Sequence, residues 1–475
     1  MLSLLTEAQK QPLSSLGASL KARLLAICFA AIQSLEPHRC LALFGESVQR
    51  MTAESRRAVL AALSQAGLME THDICVLQAF TLFLSSRLTD ASLPATCQAC
   101  CRRDGSSYTW VMVGLALRIA TSLGLHRDGL DHNLPPFEIE MRRRLWWELC
   151  ALNIRTSEDR GAVASAYTDS NTRLPLNIMD SDLDASAEIL PARRDGPTEM
   201  LFSIMRFDIC SRRAAPSCTS SVMVPLCGSI GGQGRGNEEL NEYMASNYSR
   251  AFAQDSSLPF FRLAGETSRM LRQKLDLQTY FSSVHREQWL RGERIGVDVS
   301  NDNSQCDDLF HSAVKLLEDH ARLMAESAFS NWKWYLHQLT QWHAVSFVLS
   351  QLRARIDGLA ERGLLQLPIA ISCLPEKLRR AWRAVELVIT EHESHSQARG
   401  LCGQNPDEYW GPLHHLRQQV ELKLNLDDHY QAHIQSNHSG SHECAELGWI
   451  WNQDGFLYLD ETFSLAAEQD DFSIP

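Results

Sequence analysis

The strongest constraint in this sequence is a spacing. Over residues 17–33, 53–67, 71–87 and 106–123 apolar side chains recur every three or four positions, and alternating stretches are few. The same rhythm returns at 308–328, 331–360, 374–394 and 412–426. Each such segment buries one stripe against its neighbours, so the sequence predicts an all-α, multi-helix body joined by irregular loops. In YTWVMVGLALRIATSLGL (108–125) the small residues Gly114, Ala116 and Ala120 allow close helix contact, and Gly124 sits where a left-handed cap ends the helix. The next helix is expected at the two prolines of DHNLPPFEIE, with Asn133 as a candidate N-cap. No internal repeat stands out.

Two segments break the rhythm. DRGAVASAYTDSNTRLPLNIMDSDL (159–183) is rich in turn formers, and 215–239 is rich in Gly, Ser and Pro, as a flexible linker or insertion is. With 475 residues there is room for two or three packed units. The net charge of −12 has the wrong sign for a chain whose main task is to hold phosphates. LLAICFAAI (24–32) is too short to span a bilayer, and no signal peptide or membrane association is expected. Most of the 14 cysteines are scattered singly among apolar residues, Cys28, Cys75 and Cys150 for example, as reduced thiols of an intracellular protein are.

EMRRRLWWEL (140–149) raises the question of nucleic-acid contact, because three arginines run into two tryptophans. On a helix, Phe137, Met141, Leu145, Leu149 and Leu152 form one apolar row, with Trp146 and Cys150 beside it. Glu138 lies four residues before Arg142, and Glu140 four before Arg144, the favourable order for such pairs. Trp147 falls one turn after Arg143, which allows a cation–π stack if the indole is exposed. The arginines therefore read as structural.

Other candidate chemistry is thin. CQACC (97–101) offers one C-x-x-C pair, whereas a structural zinc takes four ligands. His392, His395, His414, His415, His429, His433, His438 and His442 cluster late, and Asp428, His429 and His433 share a helix face, but no HExxH motif accompanies them; solvated surface histidines are expected. GSIGGQGRG (228–236) lacks the lysine–serine ending of a phosphate loop. No catalytic residue, cofactor site or metal site is assigned, and an enzyme is not expected.

GLALRIATSLGLHRD (114–128), EMRRRLWWEL (140–149) and TRLPLNIMDSDL (172–183) together resemble the middle homology region of fungal zinc-cluster (two-zinc, six-cysteine) transcription factors. That family shows an A-x-R-x-A-x-x-L-G-L-H-R-D run, an E-x-R-R-R-x-W-W run and a loop ending L-P-x-N-x-x-D-x-D. The residues carrying the likeness are Gly124, Leu125, His126, Arg127, Asp128, Arg142, Arg143, Arg144, Trp146, Trp147, Leu174, Pro175 and Asn177. The likeness is clearest over 70–190 and continues loosely through 331–352 and 409–421. Asn153 and DRGAV (159–163) stand where the family usually has an aspartate and a Gly-Arg-Pro. The family's six-cysteine module has no counterpart here: before residue 90 the cysteines are Cys28, Cys40 and Cys75. Zinc is expected only if such a module lies upstream.

The resemblance implies a helical regulatory body: an N-terminal helical segment (1–69), a middle-region core (70–190), an irregular linker or insertion (191–240), a C-terminal helical part (241–440) and a flexible acidic–aromatic tail (441–475). From Glu443 onward the tail has eight acidic residues and no lysine or arginine. Between the acids lie Trp449, Trp451, Phe456, Leu457, Tyr458, Leu459, Phe463 and Phe472. That composition suits an acidic activation segment, and equally a tail whose aromatics pack back on the body. The implied function is nuclear transcription regulation, often of dedicated metabolic or secondary-metabolite gene clusters, through coactivators or other regulators and with homo- or heterodimers possible in such a family. Direct DNA binding by this chain alone is not expected. The alternatives are a co-regulator without a zinc module and, behind it, an all-α metal-dependent enzyme.

Overall fold

The computed structural model describes residues 15–87, 105–159, 170–214, 239–240, 242–249, 251–252, 258–290, 304–339, 342–365, 367–398, 407–425, 449–451 and 457–459. The chain opens with α1 (Ala18–Ser34), α2 (Pro37–Phe44), α3 (Val48–Gln65) and α4 (Ile74–Arg87). These lead to α5 (Gly105–Ser122), α6 (Pro136–Asp159) and α7 (Leu201–Ala214). The later helices are α8 (Pro259–Leu290), α9 (Ser304–Ala325), α10 (Lys333–Gln338), α11 (Trp342–Glu361), α12 (Glu376–Ala398) and α13 (Asp407–Glu421). Two minimal sheets are described: β1 (Ile369–Ala370) runs parallel to β2 (Leu424–Asn425), and β3 (Trp449–Trp451) antiparallel to β4 (Leu457–Leu459). The chain is all-α in class, as its periodicity requires. No described helix is long and apolar enough to cross a membrane.

Two apolar cores organise the helices. Phe29 of α1, Leu63 of α3, Phe80 and Phe83 of α4, Leu117 of α5 and Trp146 of α6 share the first, each at most 2% exposed. The packing therefore does not divide at residue 70: α1 sits against α3 and α4, so α1 and α3 contribute to the same core as the middle region. Phe310, Leu317, Phe347, Leu352, Trp382 and Val385 anchor the second, built by α8 to α13. A smaller cluster, with Phe207 and Cys210 of α7 against Ala151 of α6, ties α7 to the first core. Residues 191–240 are thus not wholly irregular, since α7 lies within them; 215–238 fall outside the described residues.

Several elements depart from the periodicity reading for identifiable reasons. The 331–360 stretch is not one helix: a 3-10 turn (Ser327–Trp332) runs into α10, and α11 begins afresh at Trp342. The 32-residue α8 falls in a span where the periodicity predicts none, because its inner face runs through Thr267 and Ser268, both fully buried. Polar residues at those positions interrupt an apolar count without exposing the face. Asn133 is not the N-cap of α6; it closes the 3-10 turn Gly129–His132 with φ of 50°, in the left-handed region that Asn tolerates. Gly114 is not a point of close helix approach either: a Cβ there would meet only the Arg118 guanidinium, at 3.6 Å. Ala116 and Ala120, by contrast, are fully buried in the first core.

Candidate functional site

The three motif segments converge on the N-terminal part of α6. Gly124 ends α5 with φ of +74°, a conformation that costs glycine least, and the N–H of Leu125 reaches back to the Ala120 carbonyl at 2.9 Å. This reversal carries Leu125 into the core and aims Asp128 at α6.

Arg143 meets Asp128 there. Its Nε donates to Oδ2 and its terminal nitrogen to Oδ1, both at 2.8 Å, and the two side chains are 3% and 2% exposed. The Asp128 carboxylate also accepts from the backbone N–H of Arg173 (2.9 Å) and of Leu130 (3.1 Å). Burial alone would push its pKa up; Arg143 and these backbone donors outweigh that and hold it below the usual carboxylate range. One buried carboxylate thus fastens the helix, the turn and the 170–183 loop.

The neighbouring arginines are engaged in the same way. Arg142 donates to the Leu123 carbonyl at 2.6 Å and reaches Glu138. Arg144 bonds Glu140 at 3.1 Å and Asp180 at 2.7 Å. Glu140, fully buried, also accepts from the Leu176 N–H at 3.2 Å. The i,i+4 pairs are therefore present as read from the sequence. The Arg143–Trp147 stack that the spacing allows does not form: Arg143 turns inward, and the Trp147 indole N–H donates to the Arg173 carbonyl at 3.0 Å. Trp146, 1% exposed, fills the core with the His126 ring 6.3 Å away. Of Arg127, Arg142, Arg143 and Arg144, only Arg127 is exposed.

The loop is fastened at a second point. The Asn177 amide donates to the carbonyls of Arg194 (2.9 Å) and Gly196 (2.8 Å) and accepts from the Thr198 hydroxyl at 2.6 Å. Leu174 packs against the α6–α7 cluster, and Pro175 is buried. Asp182 pairs with Arg194 and accepts from the Met179 N–H. Asn177→Ala leaves both carbonyls without their donor and is expected to cost about 2–3 kcal/mol. Urea unfolding measures this, and a loss under about 0.5 kcal/mol would contradict the arrangement.

Sequence reasoning overlooked Asn171, Thr172 and Thr198. The Thr172 hydroxyl donates to the Leu125 carbonyl at 2.6 Å, while Asn171 accepts from the Asp128 N–H at 2.9 Å and donates to Asp131 at 2.8 Å. The signal for the first two was their position, flanking the L-P-x-N loop. Asn153 is buried in α6 at 7% exposure.

The late histidines are placed differently from expectation where they are described. His392 packs edge-on to Trp342 with ring centroids 4.9 Å apart, and His395 stacks on His337 at 3.5 Å. They are packed between helices rather than solvated; His415, on α13, is exposed and contacts Gln419. His429, His433, His438, His442, CQACC and GSIGGQGRG lie outside the described residues. Among the described residues no group of three or more His, Cys, Asp or Glu is arranged to hold a metal. None of the described cysteines, Cys28, Cys40 and Cys75 included, belongs to a group of three or more donors, so the described residues do not fit a two-zinc cluster. In the tail, Trp449 and Trp451 lie on β3 and Leu457, Tyr458 and Leu459 on β4, whereas Phe456, Phe463 and Phe472 fall outside the described residues.

Residues 24–208, which span all three motifs, match the fungal specific transcription factor domain. The chain is 27% identical over 398 residues to the aurofusarin cluster transcription factor of Gibberella zeae, covering 82% of this chain and 52% of that protein. It is 34% identical over 191 residues to the pyriculol/pyriculariol biosynthesis cluster transcription factor of Pyricularia oryzae, covering 40% of this chain and 24% of the relative. A C6 finger domain transcription factor of Aspergillus niger is 32% identical over 185 residues, 38% of this chain and 22% of its own. The chain thus spans about half the length, or less, of these relatives. No solved structure matches it.

Proposed function

We propose, on the premise that this chain carries a fungal specific transcription factor domain at residues 24–208, that it is the regulatory and activating portion of a transcription regulator controlling a dedicated metabolic or secondary-metabolite gene cluster. The domain match carries the reading, and the relatives named for aurofusarin and pyriculol clusters supply its pathway class. They are named as transcription factors, which supports a regulator rather than an enzyme.

In this reading the helical body is a rigid mount. Arg142, Arg143 and Arg144 are held by the Leu123 carbonyl, Asp128, Glu140 and Asp180, which supports assigning DNA contact to a module outside this chain or to a partner. Zinc belongs to that module. The protein works in the nucleus, through coactivators or other regulators, and the acidic–aromatic tail is the activating segment.

A reporter assay with two fusions to an unrelated DNA-binding domain tests this: residues 1–475, and the same chain cut before Glu443. Activation by the first and loss of roughly tenfold or more in the second is the expected result, since a solvated acidic segment presents its aromatics to a partner groove. Equal output from both fusions would overturn the tail's role. Purified 1–475 is also expected to show no sequence-specific duplex binding. Specific binding with a steep salt dependence would reverse the assignment of the arginines.

A further inference from the structure

The 170–183 loop ends in a surface turn that the motif network leaves partly unused. Asp180, Ser181 and Asp182 form a 3-10 turn. The Ser181 side chain at its middle is exposed, and its hydroxyl meets no partner among the described residues. Two guanidiniums converge on the same turn. Arg144 of α6 reaches Asp180 at 2.7 Å, and Arg194 pairs with both carboxylate oxygens of Asp182. Arg144 is 16% exposed, yet its second terminal nitrogen, Nη2, is buried and makes no hydrogen bond among the described residues. Its Nε holds Glu140, which in turn accepts the Leu176 N–H. A charge placed on Ser181 therefore lies one residue from a contact that leads into the buried part of the network.

We infer that Ser181 is a phosphorylation site for an acidic-directed serine kinase, and that Arg144 and Arg194 are the groups that respond to its phosphate. The enzyme class follows from the flanks. Asp180, Asp182 and Asp184 stand one before, one after and three after Ser181, and Asp180 and Asp184 are exposed. A kinase with a basic substrate groove matches that charge pattern, whereas one that selects basic flanks is repelled by it. The transfer balances between serine and nucleotide. The Ser181 Oγ bonds to the γ-phosphorus of ATP, the bond from that phosphorus to the bridging oxygen breaks, ADP leaves, and the hydroxyl proton passes to the kinase's catalytic aspartate. The product carries roughly −1.5 to −2 of charge at pH 7 and three strong acceptor oxygens. Guanidinium and phosphate form strong paired bonds, so the new group competes with Asp182 for Arg194 and with Asp180 for Arg144. Glu199 also accepts the Asp180 N–H, at 3.1 Å, so Asp180, Asp182, Asp184 and Glu199 face two guanidiniums, and the added charge repels more than it pairs. The turn loosens, and with it the hold of Arg144 on Glu140 and of Glu140 on the loop. A divalent cation is the poorer occupant, because Asp180 and Asp182 already hold guanidiniums. That the phosphate tunes gene expression rests on the chain being a transcription regulator; the modification itself does not.

The full 1–475 chain, incubated with ATP and a purified acidic-directed serine kinase and then cut with trypsin, is expected to gain one phosphate on the peptide from Leu174 to Arg193. Ser186 shares that peptide, so Ser181→Ala must abolish the gain for the site to stand. Asp184 is exposed and bonds only to Ser186 within the loop, so Asp184→Asn should slow the transfer roughly tenfold while leaving the fold intact. Hydrogen exchange then reads the response. Amides of residues 176–183 should exchange several-fold faster in the phosphorylated chain, while those of α4 keep their protection. Phosphate on Ser186 alone, or no transfer by this class of kinase, would overturn the site. Transfer to Asp184→Asn at the parent's rate would overturn the acidic-directed recognition. Phosphorylated Ser181 with unchanged loop exchange would remove the part given to the two arginines.

Discussion

Arg143→Ala is expected to cost the first core about 3–5 kcal/mol, because it leaves Asp128 as a buried carboxylate without its counter-charge. The two are 3% and 2% exposed, so water cannot take over the lost contacts. Arg143→Lys should recover only part of the loss, since an ammonium does not reproduce the two parallel bonds of a guanidinium. Arg127→Ala, on the same motif but exposed, should change stability by less than about 0.5 kcal/mol. Urea unfolding followed by tryptophan fluorescence, with Trp146 reporting from the core, separates these cases. A loss below about 1 kcal/mol for Arg143→Ala would mean that the pair is solvated. Defects in the motif arginines should accordingly appear first as reduced abundance of the protein, and only through that as lost regulation.

Acidification should weaken the second core before Asp128 of the first is protonated. His320 of α9 is 3% exposed, its Nδ1 is buried without a partner, and burial, aided by the nearby His392, lowers its pKa from 6.5 to about 4. His392 is lowered likewise to about 4 by burial and by His414 of α13. Both are held neutral in the fold. Between 6.5 and about 4 only the unfolded chain binds the extra proton, so stability is complete above the upper value and falls as pH falls. At about 1.4 kcal/mol per pKa unit, His320 alone accounts for about 3 kcal/mol across that window. Asp128 acts lower, because its folded pKa is held below the usual carboxylate range. Unfolding free energies measured at several pH values should therefore decline from 6.5 downward, and His320→Leu should flatten much of that slope. A profile already flat between these values in the parent would refute the buried, neutral assignment.

Legibility followed distance along the chain. Glu138–Arg142 and Glu140–Arg144 were readable because the helix itself places residues four apart side by side. The Gly124 cap was readable for a similar reason: glycine meets a local backbone demand. α8 and the break before α11 were not. A buried face through Thr267 and Ser268 looks polar until its neighbours are known, and 331–360 keeps its apolar rhythm across a turn. The late histidines misled similarly, since imidazole is as compatible with water as with the flank of Trp342.

The motif was legible as a pattern, its wiring only in part. Three arginines on one helix turn have chemically identical heads, and local geometry supplies carboxylates four residues away to Arg142 and Arg144 but none to Arg143. The sequence by itself determined the all-α class, the α5 cap and those two local pairs, because each depends on residues within about one helical turn. Only the tertiary structure decided that Arg143 turns inward to Asp128, that Glu140 holds the Leu176 N–H, and that Asn177 closes on Arg194 and Gly196. Those partners lie 15 to 36 residues apart, and it is the packing of α5, α6 and the loop around Trp146 that brings them within hydrogen-bond reach and removes the water that would otherwise compete.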